Sequence, residues 1–133
     1  MAALSTIRMS LPQVPASAAE ARRQVRRFAA ENDLLDRAGV ALLVLSELVT
    51  NAVLHGTSPI QVAVTSEDDI LRIEVTDGDA RIDGLVVQHG RTDSPGGRGL
   101  HIVNSVARDW GMTVHADGKT IWADVELDGE TER

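Results

Sequence analysis

The 133-residue sequence has no cysteine and no tyrosine, one phenylalanine and two tryptophans. Without thiols there is neither a disulfide framework nor a thiolate metal site, and a reducing cytoplasm suits such a chain. So few aromatic rings leave little to stack on nucleobases. A formal net charge of -7 also opposes the phosphate neutralisation that nonspecific nucleic-acid binding requires. Long hydrophobic runs are missing as well. The longest apolar stretch, around "AGVALLVL", falls far short of the roughly 20 residues that cross a bilayer. The start, "MAALSTIRMSLP", lacks a basic region followed by an apolar signal core. No internal repeat, low-complexity tract or linker interrupts the chain. Its length therefore predicts one soluble, cytoplasmic domain, residues 1 to 133, with a core of its own. The polar end "LDGETER" is expected to fray.

In "STIRMSLP", Ile7, Met9 and Leu11 alternate with polar residues at the period of a strand. Ser17 and Glu20 have the spacing of a capping box, which opens a helix whose inward stripe is Val25, Phe28 and Ala29. A second helix is expected from about Asp36 to His55, stopped by Gly56 as a left-handed cap. "PIQVAVTS" and "ILRIEVTD" alternate around the acidic turn "EDD" and read as a hairpin with one buried face. Asp77 shares the parity of Leu71, Ile73 and Val75, so the register carries a carboxylate to the covered side. From Gly78 to Pro95 the pattern dissolves into a stretch longer than an ordinary connection, of the kind that forms lids. "GGRGLHIVNSVARDWG" then enters a helix with Leu100, Val103 and Val106 inward. Strands follow at "MTVHA" and "TIWADVEL", with Gly118 and Lys119 in the turn between them. Cleanly alternating strands and three helices predict a two-layer α/β sandwich with the helices on one face.

Three elements in this frame carry chemistry. Glu47, Asn51 and His55 recur every fourth residue along one face of the second helix, in a region with no Lys or Arg between Arg37 and Arg72. This is either a solvated stripe or a site. An amide oxygen is a hard ligand suited to Mg²⁺, and a neighbouring carboxylate can deprotonate a nucleophile, while His55 either joins them or interacts with the helix-terminal carbonyls. Asp77 in "VTDGDA" is a turn-forming Asp-Gly pair or a buried acceptor. In the second case it needs donors, from local amides or from the exocyclic amine of a ligand. The glycines of "SPGGRGLHIV" are a hinge or an anion site, with amides at a helix N-terminus and Arg98 available to phosphate.

In this order the three elements resemble the GHKL superfamily of ATP-binding domains found in gyrase, histidine kinases and MutL. They are most similar to the small bacterial anti-sigma-factor serine kinases of the SpoIIAB and RsbW type. "SELVTNAVLHG" resembles the N box of that family, "VTDGDA" its adenine motif and "GGRGL" its second glycine box. The resemblance implies the Bergerat fold, with a mixed sheet, and ATP and Mg²⁺ as cofactors. It implies Glu47 as general base, Asn51 as the Mg²⁺ ligand, and Asp77 as the acceptor of the adenine amine. It further implies a nucleotide site completed by His55, Gly78, Gly97, Arg98, Gly99 and Leu100, Thr120 beside Asp77 at the base, and residues 81 to 95 as the ATP lid. One departure stands out. The adenine motif commonly reads Asp-x-Gly-x-Gly, and this chain has Asp79 and Arg81 in place of the two later glycines, where a β-carbon disfavours a positive-φ turn.

Arg22, Arg23, Arg26 and Arg27 place like charges four apart on the first helix, a solvated face or a docking face for an acidic partner. The function expected is a serine/threonine-protein kinase that phosphorylates a small anti-sigma-factor antagonist and sequesters a sigma factor, in some cases as a homodimer. The alternative is a non-catalytic nucleotide-binding or protein-binding regulatory module of the same fold. The length leaves no room for the dimerisation and phosphoacceptor helices of a full histidine kinase.

Overall fold

The structure, a computed structural model, describes residues 4–80 and 97–129. Five strands and three helices follow the predicted order: β1 (Ser5–Leu11), α1 (Ser17–Glu31), α2 (Gly39–His55), β2 (Ile60–Glu67), β3 (Ile70–Asp77), α3 (Gly97–Val106), β4 (Asp109–His115) and β5 (Gly118–Glu126). The strands form a single sheet in the order β1-β2-β3-β5-β4. Every pairing is antiparallel, so the mixed character implied by the resemblance is met in the strand order alone. β3 and β4 run parallel to each other but are separated by β5. The connection through α3 crosses over, and the final hairpin turns back into the gap.

Alternation decides which face is covered. Met9, Leu11, Ile60, Val62, Val64, Leu71, Ile73, Val75, Ile121, Ala123 and Val125 are buried beneath the helices. α2 is the central helix, in contact with α1, α3, β3 and β5. That position explains why it is apolar around much of its circumference: Val44, Leu45, Leu48 and Val49 are all buried. α1 buries Ala21, Val25, Phe28 and Ala29, as its spacing requires. In α3, Leu100 and Val103 are buried, whereas Val106 is exposed at the helix end and Ala107 packs on the core in its place.

Several local expectations give way to competing contacts. The capping box does not form, because the backbone before α1 already turns and supplies Val14 O to the Ser17 amide and Ala16 O to that of Glu20. The Ser17 hydroxyl instead donates to Pro12 O, and the Glu20 carboxylate accepts from Arg23 and Gln24. A short 3₁₀ turn, Leu35–Arg37, precedes α2, which starts later than predicted. Its first amides are capped from 88 residues away or more: Asp128 Oδ2 accepts from Gly39 N at 3.1 Å and Oδ1 from Val40 N at 3.3 Å. The predicted frayed tail is therefore anchored at its start. Leu127 is buried, and Asp128 N donates to Arg37 O. Residues 130–133 lie outside the described residues.

Candidate functional site

The C-terminal half of α2 meets the end of β3. Asn51 is buried, Glu47 and His55 are half-buried, and none of the three makes a side-chain hydrogen bond among the described residues. His55 Nε2 is fully buried without a partner. A buried polar atom of this kind costs free energy unless a ligand or water satisfies it, so the His55 nitrogen is poor packing and good binding chemistry, next to two side chains with free hydrogen-bonding capacity. The carbonyls ending α2 do not occupy His55. Gln13 Nε2, from the segment between β1 and α1, donates to Val53 O at 3.1 Å and to Gly56 O at 2.5 Å.

Gly56 ends α2 in an extended conformation, φ -106° and ψ -167°, rather than the left-handed one expected. The glycine is needed for room. A β-carbon there would lie 2.4 Å from Asp77 Cγ, so the missing side chain lets the carboxylate fold against the helix end. Gly78 holds the neighbouring backbone in place, its amide donating to Thr57 O at 2.8 Å.

Asp77 is 5% exposed, as its parity predicts. Its Oδ1 accepts from the amide of Asp79 at 2.8 Å, an Asx-type turn, and from Lys119 Nζ at 3.2 Å. Lys119 is the residue that turn reasoning misplaced. The turn of the last hairpin consists of Ala116 and Asp117, since His115 already pairs with Gly118, and Lys119 stands in β5 directly opposite Asp77. It is 1% exposed, and its ammonium also donates to Asp79 O at 2.8 Å. Counting back by twos from Ile121 along β5 would have found it on the inner face.

Thr120 is not brought to Asp77. It lies one residue out of phase, on the open face of the sheet. Its hydroxyl is 2.7 Å from that of Thr76 and 2.9 Å from His115 Nε2. Leu100 is a core residue, 3% exposed. α3 begins at Gly97, so the glycine-rich stretch forms its first turn, with the positive end of the helix there. The side chain of Arg98 and the contacts of Gly97 and Gly99 lie outside the described residues, as do Arg81 and the expected lid at 81 to 95.

A concavity of about 900 Å³ lies elsewhere, beside Asp69, Ile70 and Asp124. That is the opposite end of β3, about 23 Å from Asp77 at the rise of a strand. Arg37 pairs with Asp69 there and Arg72 with Asp124, and among the described residues no buried unsatisfied side-chain atom like His55 Nε2 lines it. No group of three or more metal-ligating His, Cys, Asp or Glu side chains occurs among the described residues. The donors present still suit Mg²⁺ carried on a polyphosphate, which takes one or two protein ligands and keeps phosphate oxygens and water for the rest. The Asn51 amide oxygen, unpartnered among the described residues, is of the hard type that such an ion takes, and the buried His55 nitrogen is a second polar atom without a partner.

A two-layer α/β sandwich with an amide, a carboxylate and an imidazole in register on its central helix, beside a buried aspartate, defines a candidate nucleotide-binding domain. The chain belongs to the histidine kinase-like ATPase domain family, which it matches over residues 11–125. Among solved structures it is similar to the RsbU and RsbW domains of Rv1364c from Mycobacterium tuberculosis, with 22% identity and a TM-score of 0.65, over 92% of this chain and 32% of that one. It is also similar to the histidine kinase domain of a blue-light activated histidine kinase from Erythrobacter litoralis, with 18% identity and a TM-score of 0.53, over 88% of this chain and 62% of that one. At such identities the likeness is one of fold, and the chain spans about a third of the length of the first. Comparison with curated proteins returns no match.

Proposed function

We propose that this domain binds ATP with Mg²⁺ and acts as a regulatory serine/threonine-protein kinase, phosphorylating a small antagonist protein and sequestering the sigma factor that the antagonist releases. The observation that carries the reading is the row of unpartnered groups on α2, Glu47, Asn51 and the buried His55 nitrogen, next to Asp77. In this reading Asn51 would hold the metal, which would supply charge neutralisation to the transferring phosphoryl group. Glu47, with no partner of its own among the described residues, takes the proton of the attacking serine hydroxyl. His55 and the first turn of α3, with Gly97, Arg98 and Gly99, face the phosphates, and Asp77 with Gly78 faces the base. Thr120 has no place in this site. Its hydroxyl serves the open sheet face.

The likeness to a chain with an RsbW domain supports an antagonist protein as the substrate class. On α1, Arg22 is committed to Ser46 of α2 and Arg23 to Glu20. Arg26 and Arg27 remain exposed with no hydrogen bond or ion pair among the described residues, which supports docking of an acidic protein surface. No described helix is long and apolar enough to cross a membrane. The reading places the domain where cytoplasmic ATP is available.

A second reading, a binding module without turnover, is favoured by one observation: Asp77 is already engaged by Lys119 and by the amide of Asp79. Phosphorylation of a candidate antagonist separates the two. The kinase reading expects transfer that Glu47→Gln reduces by about 10²-fold or more while ATP still binds. Transfer at the wild-type rate in that variant refutes the assigned base, and ATP binding without transfer to any antagonist favours the module.

A further inference from the structure

The Asp77–Lys119 pair is the one buried charge pair among the described residues, and the chemistry of the proposed site makes no use of its cation. Both partners come from the inner face of adjacent strands, where Asp77 is paired with Lys119 across β3 and β5. The strands close tightly at this point: a β-carbon on Gly118 would meet Asp77 O at 2.3 Å. Oδ1 therefore takes two donors from the chain itself, while Oδ2 lies on the side of Gly56, 2.6 Å from where a β-carbon would stand. Oδ1 is thus filled by the chain's own donors, and it opens only if Lys119 moves.

We propose that Lys119 is a self-ligand of the nucleobase end of the site: its ammonium holds the carboxylate oxygen that a purine amine would take, and so sets nucleotide affinity by competition. The inference rests on the ATP-binding reading and deepens it. A hydrogen bond from an ammonium to a carboxylate is stronger than one from a neutral amine, so a base gains little by displacing it. The displaced ammonium must also find another partner or water. Of the two charged side chains, Lys119 is the one able to move. It has a flexible four-carbon stem, whereas Asp77 is short and wedged against Gly56. In the wild-type protein the phosphate end then carries most of the affinity. Exchange of Lys119 for a residue without the cation opens Asp77 to the 6-amino group of adenine. Guanine, bound in the same orientation, presents a carbonyl oxygen at that position and forms no bond there.

The test is calorimetry of the full chain with Mg²⁺ and, in turn, ATP, GTP and tripolyphosphate, on the wild type, Lys119→Met and Lys119→Gln. ATP is expected to bind Lys119→Met about tenfold or more tightly than the wild type, the worth of one charge-assisted hydrogen bond, with tripolyphosphate unchanged and GTP not improved. A purely structural lysine would give no such base-dependent gain. If Lys119→Met does not fold, Lys119→Gln, which removes the charge but keeps a donor, carries the same expectation of tighter ATP binding. Unchanged or weaker ATP binding in the folded variant, with tripolyphosphate unchanged, overturns the self-ligand alone. Failure of the wild type and the variants to bind either ATP or tripolyphosphate overturns the nucleotide reading and this inference with it.

Discussion

Gly56 and Asp77 are in contact at the junction of α2 and β3, with the carboxylate occupying the space that a side chain at residue 56 would fill. The end of the helix that carries Asn51 and the end of the strand that carries Asp77 are therefore held as one unit. Gly56→Ala must push apart a carboxylate already fixed by Lys119. The expected cost is about 1–3 kcal/mol, read from denaturant unfolding, together with weaker ATP binding. An alanine variant as stable as the wild type would show that the contact is slack.

The buried pair predicts strong coupling. Lys119→Met leaves Asp77 as an unpaired buried carboxylate and is expected to destabilise by about 3–5 kcal/mol. Adding Asp77→Asn removes the charge and should recover much of that loss. Additive losses in the double variant would mean that the two side chains do not interact.

Asp128 caps α2 from the far end of the chain. Asp128→Ala is expected to cost about 1 kcal/mol, a fall in Tm of about 4 °C, without altering ATP affinity. Truncation before Leu127 should cost more, because that buried side chain leaves the core too. A capping variant with an unchanged Tm would refute the role.

Glu20 tests the surface. The side-chain hydrogen bond from Arg23 holds its carboxyl below the ordinary range, with Gln24 adding to the effect. A depressed folded value means that any stability it contributes is present above the unfolded pKa and lost as acid takes the pH down through the folded one. Glu20 lies at the surface where solvent and salt screen its charge, so Glu20→Gln should leave Tm at neutral pH and physiological salt within error. A clear fall in Tm would assign the Glu20–Arg23–Gln24 cluster a larger share in holding α1.

Much of the fold is legible in the chain, since alternation in β1, β2, β3 and β5 and the stripe of α1 depend on each residue's own polarity and position. The row of Glu47, Asn51 and His55 is legible for the same reason: a helix places every fourth residue on nearly one face. The inward parity of Asp77 follows from counting along a single strand. These are properties of local periodicity, and local periodicity survives any arrangement of neighbours.

What only the tertiary structure decided is which distant groups meet. Lys119 read as a turn residue because Gly118 beside it invited one, and its true position depends on the register with β3. Thr120 falls on the sheet face opposite to Asp77 by the same register. Gly56 owes its place to Asp77, 21 residues later, rather than to a left-handed helix end. Asp128 displaces a local cap with one from the opposite terminus, and Ser17 and Glu20 exchange the capping box for nearer backbone and side-chain partners. For Lys119, Gly56 and Asp128 the choice lay between a local contact and one available only once the sheet had closed. The closed sheet sets the distances, and a buried charge or a missing β-carbon then leaves a single arrangement that satisfies it.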